Sequence, residues 1–305
     1  MNFGRRLEPP ARRVLHGAGQ SPDEFRKYWD AVSQTPPAIY MSYCGLKRYT
    51  LDFYARLRHE LDSYEPHCVI PQIGLAMTHD GKPEGHYEHE VAAGRYDAQL
   101  DGFWEGLSGL RRPVFLRIGY EFNGHWNGYE PEPFKAAWRR VGKALRDHKL
   151  DEVATVWCYA PEGNNREYQA YYPGHDVVDW WAVDLFGIEQ FDSERTRSFM
   201  EEAARRGFPV MIGESTPRRV GVLEGARSWE KWFARYFRFI REHPHVKAFC
   251  YISWDWGKYP KWQDWGECRI HVNGEVLERY RRELADGLYI HAQAEGPLRR
   301  AVGLA

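Results

Sequence analysis

Short apolar runs, rich in β-branched and aromatic residues, alternate along this chain with longer stretches of helical periodicity, and few folds accommodate that rhythm. Eight runs read as strands: Val14–Gly17, Ala38–Tyr43, Cys68–Leu75, Val114–Tyr120, Ala154–Tyr159, Trp180–Phe186, Val210–Gly213 and Lys247–Ser253. Each is apolar enough for burial on both faces, as in a parallel sheet. Between them, Pro22–Ser33 reads as a helix with Ser21 as N-cap and Pro22 at the first helical position. Pro131–Asp147 reads as another, with Phe134, Trp138, Val141 and Leu145 on a single apolar stripe. Eight strands with intervening helices predict a (β/α)8 barrel of the TIM type. The crossover Asn164–Pro173 is short and Tyr-rich rather than helical, so an open, doubly wound sheet is the alternative.

No Pro/Gly/Ser-rich linker divides the 305 residues, so residues 1–305 are read as one catalytic domain, with the stretch after about residue 288 a loosely packed extension. Hydrophobic residues make up 43% of the chain, enough for a large core. With 42 basic and 43 acidic residues the chain lacks the basic excess that nucleic acid or an anionic membrane would call for. No stretch approaches the roughly 18 apolar residues of a membrane span, and the N-terminus has no apolar signal core, so a cytoplasmic location is expected. Five widely spaced cysteines contain no C-x-x-C pair, which speaks against a disulfide framework or zinc knuckle. The 13 Trp and 19 Tyr exceed ordinary packing needs and suit a ligand with flat, weakly polar faces.

Barrel active sites lie at the carboxyl ends of the strands. There, Arg117-Ile-Gly-Tyr-Glu-Phe-Asn-Gly-His-Trp126 presents Glu121, and Pro209-Val-Met-Ile-Gly-Glu-Ser-Thr-Pro217 presents Glu214. Two carboxylates at one mouth are what glycoside hydrolysis requires, one to protonate the leaving oxygen and one to attack or stabilise the anomeric carbon. Taken singly, either could be a surface ion pair. Strand alternation places Arg117 on the Glu121 face, about 13 Å below it, two pleats of about 6.8 Å each, as a structural side chain. Sugar rings stack on aromatic faces, and Trp126, Trp254 and Trp256 are the candidates near strand ends, whereas Trp138, Trp229 and Trp232 read as packing. Asn123, Asp184 and Asp255 are candidates for contacts to hydroxyls, with loop capping as their alternative role.

Gly94-Arg-Tyr-Asp97, Arg117–Trp126, Tyr172-Pro-Gly-His-Asp-Val-Val-Asp-Trp180 and Gly213-Glu-Ser215 together resemble glycoside hydrolase family 26, the β-mannanase family. The resemblance implies a clan A (β/α)8 retaining hydrolase, with Glu121 as acid/base and Glu214 as nucleophile, their carboxyl groups about 5 Å apart. It implies a carbohydrate substrate, β-linked oligosaccharide or polysaccharide, and it assigns the subsite for the non-reducing sugar to Trp254. Where the family has His before the acid/base Glu this chain has Tyr120, and where it has Tyr in the sixth strand segment this chain has Phe186. Both positions touch the reacting sugar in the family, so the hydrogen bonds offered to substrate differ. No cofactor and no metal are called for. The alternatives are a catalytically silent carbohydrate-binding barrel and a metal-dependent barrel hydrolase using the His79–His89 loop, whose Gly and Pro break any helical ligand spacing.

Overall fold

A computed structural model describes residues 1–19, 21–48, 51–79, 83–162 and 167–305. The strands are β1 Val14–Gly19, β2 Ile39–Gly45, β3 Ile70–Ala76, β4 Val114–Ile118, β5 Val153–Tyr159, β6 Trp180–Leu185, β7 Val210–Ser215 and β8 Val246–Ile252, with a short β9, Tyr289–Ile290. β1 to β8 pair in parallel, each with its sequence neighbours, and β1 closes the ring by pairing with both β2 and β8. The fold is a single-domain (β/α)8 barrel, and the open-sheet alternative is excluded by that closure. Every strand read from the sequence is present, with no end displaced by more than two residues; β4 stops at Ile118, two residues before the expected end.

The helices are α1 Pro22–Ala31, α2 Leu51–Asp62, α3 Glu88–Ala92, α4 Asp97–Leu110, α5 Pro131–Asp147, α6 Glu194–Arg205, α7 Ala226–Ser228, α8 Ala234–Glu242, α9 Gly274–Leu284 and α10 Glu295–Ala301. Ser21 caps α1 by accepting from the Glu24 N–H, and Pro22 opens the helix as expected. The α5 stripe of Phe134, Trp138, Val141 and Leu145 is buried, and the Trp138 indole donates to the Ile118 carbonyl at the end of β4. Trp138 and Trp232 are fully buried packing residues. The β5–β6 crossover carries a 3-10 turn, Tyr168–Tyr171; the first residues of the run Asn164–Pro173 lie outside the described ones.

Strand alternation sorts the apolar residues into two layers. Leu15, Met41, Phe115, Val156, Ala182 and Met211 fill the barrel interior, while Leu75, Leu116, Trp157, Val183, Ile212 and Phe249 pack outward against the helices. The floor of the barrel is plugged from both ends of the chain. Leu7, Leu298 and Val302 join the inner layer, the Trp180 indole donates to the Arg6 carbonyl, and Lys247 donates to the Pro9 carbonyl. The C-terminal stretch is therefore not a loose extension: β9 pairs with β1, and α10 is held by Arg299 on Glu152. All five cysteines are buried free thiols, and no described helix is long and apolar enough to cross a membrane.

Next to β9, two histidines join the C-terminal stretch to the barrel. His291 Nε2 donates to the Leu284 carbonyl at 3.0 Å, an acceptor only, so its Nδ1 must accept from His16 Nδ1 at 3.2 Å. His16 Nε2 then accepts from the Tyr28 hydroxyl at 2.6 Å. This arrangement needs both imidazoles neutral, and burial holds both below the ordinary histidine range. In the unfolded chain they take up protons near pH 6.5, so the folded state binds fewer protons and stability falls as pH drops below that value. Urea midpoints measured between about pH 7.5 and about pH 5 should decline, and His291→Gln should flatten the slope.

Candidate active site

Glu121 reaches the mouth by a turn rather than by an extended strand. β4 ends at Ile118, and Gly119 and Glu121 then take positive φ values of 54° and 49°. The alternation rule lapses there, so the expected separation of Arg117 and Glu121 by two pleats does not apply. Glu121 holds a left-handed conformation that a non-glycine residue adopts only when its surroundings fix it. Asn127 does so by donating to the carbonyls of Tyr120 at 3.0 Å and Glu121 at 3.1 Å. The Trp126 indole donates to Glu121 Oε2 at 2.7 Å.

Glu214 is placed by a different device. Ile212 pairs with Val183 and Ser215 with Leu185, and the register shifts between these pairs on both neighbouring strands. Ile212 packs outward, and Ser215 bonds outward to the Tyr236 hydroxyl of α8 at 2.9 Å. The irregularity at Gly213 and Glu214 turns Glu214 inward, where strict alternation would have sent it toward the helices. Gly213 is glycine because a Cβ there would lie 2.7 Å from Asp184 Oδ1 and 3.2 Å from Arg117 Nε.

Beneath the mouth, Arg117 links these elements. Its Nη1 donates to Glu214 Oε1 at 2.9 Å and its Nη2 to Asp184 Oδ2 at 2.6 Å, while the Cys158 thiol donates to Asp184 Oδ1 at 3.2 Å. Burial opposes the Arg117 charge, but the carboxylates of Asp184 and Glu214 more than offset it and hold the guanidinium protonated. Burial pushes Asp184 up to about 7 against the pull of Arg117. Glu121 is raised well above the usual carboxylate range, first by burial, then by the negative charges of Asp184 and Glu214. The charge of Glu214 thus acts directly on Glu121. Tyr43 completes the wall: burial and Glu214 raise its hydroxyl, and its ring packs edge-on against Tyr120 at 5.3 Å. The Tyr120 ring in turn lies 5.0 Å from the Arg117 guanidinium.

The remaining expected residues divide. Trp126, Trp254 and Tyr120 are partly open at the mouth. Asn123 is not available to a hydroxyl, because its amide donates to the Ala160 carbonyl at 2.8 Å and accepts from the Ala160 N–H at 3.0 Å, tying two loops together. Asp184 is 1% exposed and committed to Arg117, so it supports the site from below rather than meeting substrate. Asp255 pairs with Lys258 and Arg269, both at 3.5 Å. Trp256 is a buried anchor whose indole donates to Thr216. Phe186 is 5% exposed and packs on Trp265 at 5.1 Å. Tyr43 and Cys158 were not among the expected site residues and Arg117 was read only as structural, although the period-two rule, applied to β2 and β5, puts Tyr43 and Cys158 on inward faces as well.

On the loop after β3, part of which (residues 80–82) lies outside the described ones, His86, Glu88 and His89 lie close enough to offer ligand atoms within 4.8 Å of one another. Glu88 is fully buried and accepts from His86 at 2.9 Å and from the Glu130 N–H at 2.9 Å, which fastens the loop to the start of α5.

Comparison with known proteins agrees with the barrel fold and with the family resemblance. The family model for glycosyl hydrolase family 26 matches residues 83–201, so the stretch from the loop after β3 to α6 carries family 26 sequence and the resemblance holds. A β-1,3-xylanase of Alcaligenes sp is 27% identical, over 94% of this chain and 66% of its own. The β-1,3-xylanase TXYA of Vibrio sp is 26% identical, over 94% of this chain and 68% of its own. This chain thus spans about two thirds of the length of these relatives. In fold it is similar to a family 26 β-mannanase of Bacteroides ovatus, with a TM-score of 0.66 at 17% identity over 92% of this chain and 90% of that one.

The ion network makes a stability prediction. Asp184→Ala leaves the buried Arg117 charge with half its support and should cost about 3–5 kcal/mol in guanidinium-chloride unfolding. Asp184→Asn, which keeps the volume and one hydrogen-bond acceptor, should cost less.

Proposed function

We propose that this family 26 barrel is a retaining β-glycoside hydrolase that cleaves β-linked glycan chains, with β-1,3-linked xylan ahead of β-mannan as substrate. The observation that carries the reading is the contrast between its two mouth carboxyls: Glu214 is bound by the Arg117 guanidinium, while burial and neighbouring negative charge raise Glu121 well above the usual carboxylate range. A carboxylate anchored on a cation and a carboxyl group whose proton is held more tightly than usual are the pair that double displacement needs. Glu214 attacks the anomeric carbon, the bond to the leaving oxygen breaks, and the Glu121 proton passes to that oxygen. Glu121, now a carboxylate, takes a proton from water, whose oxygen displaces Glu214 and releases the sugar with retained configuration. Tyr120, Trp126 and Trp254 line the mouth as the groups that meet sugar rings and hydroxyls. The preference for xylan rests on the likeness to two β-1,3-xylanases along 94% of the chain, and it is compatible with Tyr120 and Phe186 replacing the residues of the mannanase pattern.

The test is hydrolysis of a panel of β-1,3-xylan, β-1,4-mannan and aryl β-glycosides, with product NMR to read the anomer first released. Retained configuration is expected, with Glu121→Ala slowing hydrolysis of substrates with poor leaving groups by about a hundred- to ten-thousand-fold and Glu214→Ala abolishing turnover. Binding of these glycans without turnover by the wild-type protein would overturn the reading. EDTA should leave the rate unchanged, because proton donor and nucleophile are both side chains.

A pH profile gives a second test. Glu121 must be protonated to act, so the basic limb of kcat/KM follows its ionisation. The Trp126 hydrogen bond works to lower that pKa. Trp126→Phe should therefore move the basic limb to higher pH, and a limb that stays in place would separate it from Glu121.

A further inference from the structure

Six aromatic side chains run in unbroken contact from the end of β6 to the loop after β8. Phe186 meets Trp265 at 5.1 Å, Trp265 meets Trp256 at 4.8 Å, and Trp256 meets Trp262 at 5.8 Å. Trp262 meets Tyr259 at 6.3 Å, and Tyr259 lies nearly parallel to Trp254 at 5.8 Å, with 21° between their planes. The base of this series is buried, with Phe186 5% and Trp256 7% exposed, but its far end opens, and Tyr259 reaches 38%. The Tyr259 ring is thus an aromatic face open to solvent at the end of a packed aromatic series, available to a ligand that stacks.

The loop that carries these rings is built to hold them still. Trp256 N–H donates to the Gly266 carbonyl at 3.1 Å and Cys268 N–H to the Trp254 carbonyl at 2.9 Å, so the two limbs of the loop are hydrogen-bonded to each other. Asp255 and Glu267 face each other across these limbs, and Arg269 binds both carboxylates and Glu24 of α1. The Trp256 indole fastens the loop to Thr216, two residues beyond Glu214. The Lys261 ammonium lies 4.9 Å from the Trp262 ring and occupies that ring's surroundings, which leaves Tyr259 as the better-exposed ring.

We infer that Tyr259, backed by Trp254, is an outer stacking subsite that holds a sugar unit of a neutral β-linked glycan beyond those flanking the bond to be cleaved. A pyranose presents C–H groups to a ring face, and a phenol ring held on a rigid loop accepts them with little loss of freedom on binding. Over residues 254–269 the bases Lys258, Lys261 and Arg269 are balanced in number by Asp255, Asp264 and Glu267, so the loop itself carries no net charge that would select an ionic ligand. The inference rests on the carbohydrate reading above and makes the enzyme sensitive to chain length.

The experiment compares wild type, Tyr259→Ala and Tyr259→Phe on β-1,3-xylo-oligosaccharides from the disaccharide to the hexasaccharide. For Tyr259→Ala, the loss in kcat/KM should grow with length, exceeding the loss on the disaccharide by about tenfold at the hexasaccharide. Tyr259→Phe keeps the ring face and should restore the wild-type length dependence, which a general folding defect at this position would not allow. An equal loss at every length, or none, overturns the subsite. Retardation of the same proteins in native gels containing soluble xylan separates the two proposals. Wild type that binds without cleaving, with binding weakened in Tyr259→Ala, sinks the hydrolase reading and supports the subsite; cleavage with unaltered retardation sinks the subsite alone.

Discussion

The Arg117 guanidinium lies inside the barrel with no exposed surface, and it is tolerable there only because Asp184 and Glu214 accept from its two terminal nitrogens. An unpaired charge at this depth would cost several kcal/mol, so the three side chains must be assembled together or not at all. They come from β4, β6 and β7, and only a closed ring of strands brings their inward faces around one point. The same packing explains Gly213, whose missing Cβ makes room for Asp184 and Arg117. The floor plug beneath, formed by Leu7, Trp180 and Leu298, seals the apolar end of the interior below this polar layer.

The barrel was legible in the sequence because its strands are buried on both faces and read as unbroken apolar runs, and because the helix starting at Pro131 carries both a cap proline and a regular apolar stripe. The pair Glu121 and Glu214 was legible from position at strand ends alone. What alternation could not supply was the orientation of either side chain. At β4 the strand stops three residues short of Glu121, and at β7 an irregularity inverts the side on which Glu214 emerges. Both are local departures from period two, set by tertiary surroundings that a one-dimensional pattern does not contain.

Polar residues near the mouth were harder to sort, for a related reason. Asn123, Asp184 and Trp126 all lie close to strand ends, yet Asn123 saturates one backbone unit on the β5 loop, Asp184 neutralises Arg117, and Trp126 reaches back five residues to Glu121. Their spacing in the chain is similar, and only their partners distinguish scaffold from site. The C-terminal stretch misled for lack of periodicity, since its anchoring comes from a two-residue strand and a few buried side chains, Leu298 and Val302 among them. Segments so short leave too few repeats for a pattern to register.

The two carboxyls of the mouth end with opposite surroundings through opposite backbone devices. A left-handed turn lifts Glu121 away from the guanidinium toward an indole donor, where burial and two like charges favour the neutral acid. An irregular strand pair presses Glu214 down onto Arg117. Exchanging the devices would put Glu121 beside a fixed cation and leave Glu214 without its anchor, so the difference between the two surroundings follows from backbone geometry before any difference between the two glutamates themselves, which are chemically identical. Both devices occur where regular strand structure gives out, and that is why the regular part of this chain specifies a barrel while its irregular strand ends specify what the barrel can do.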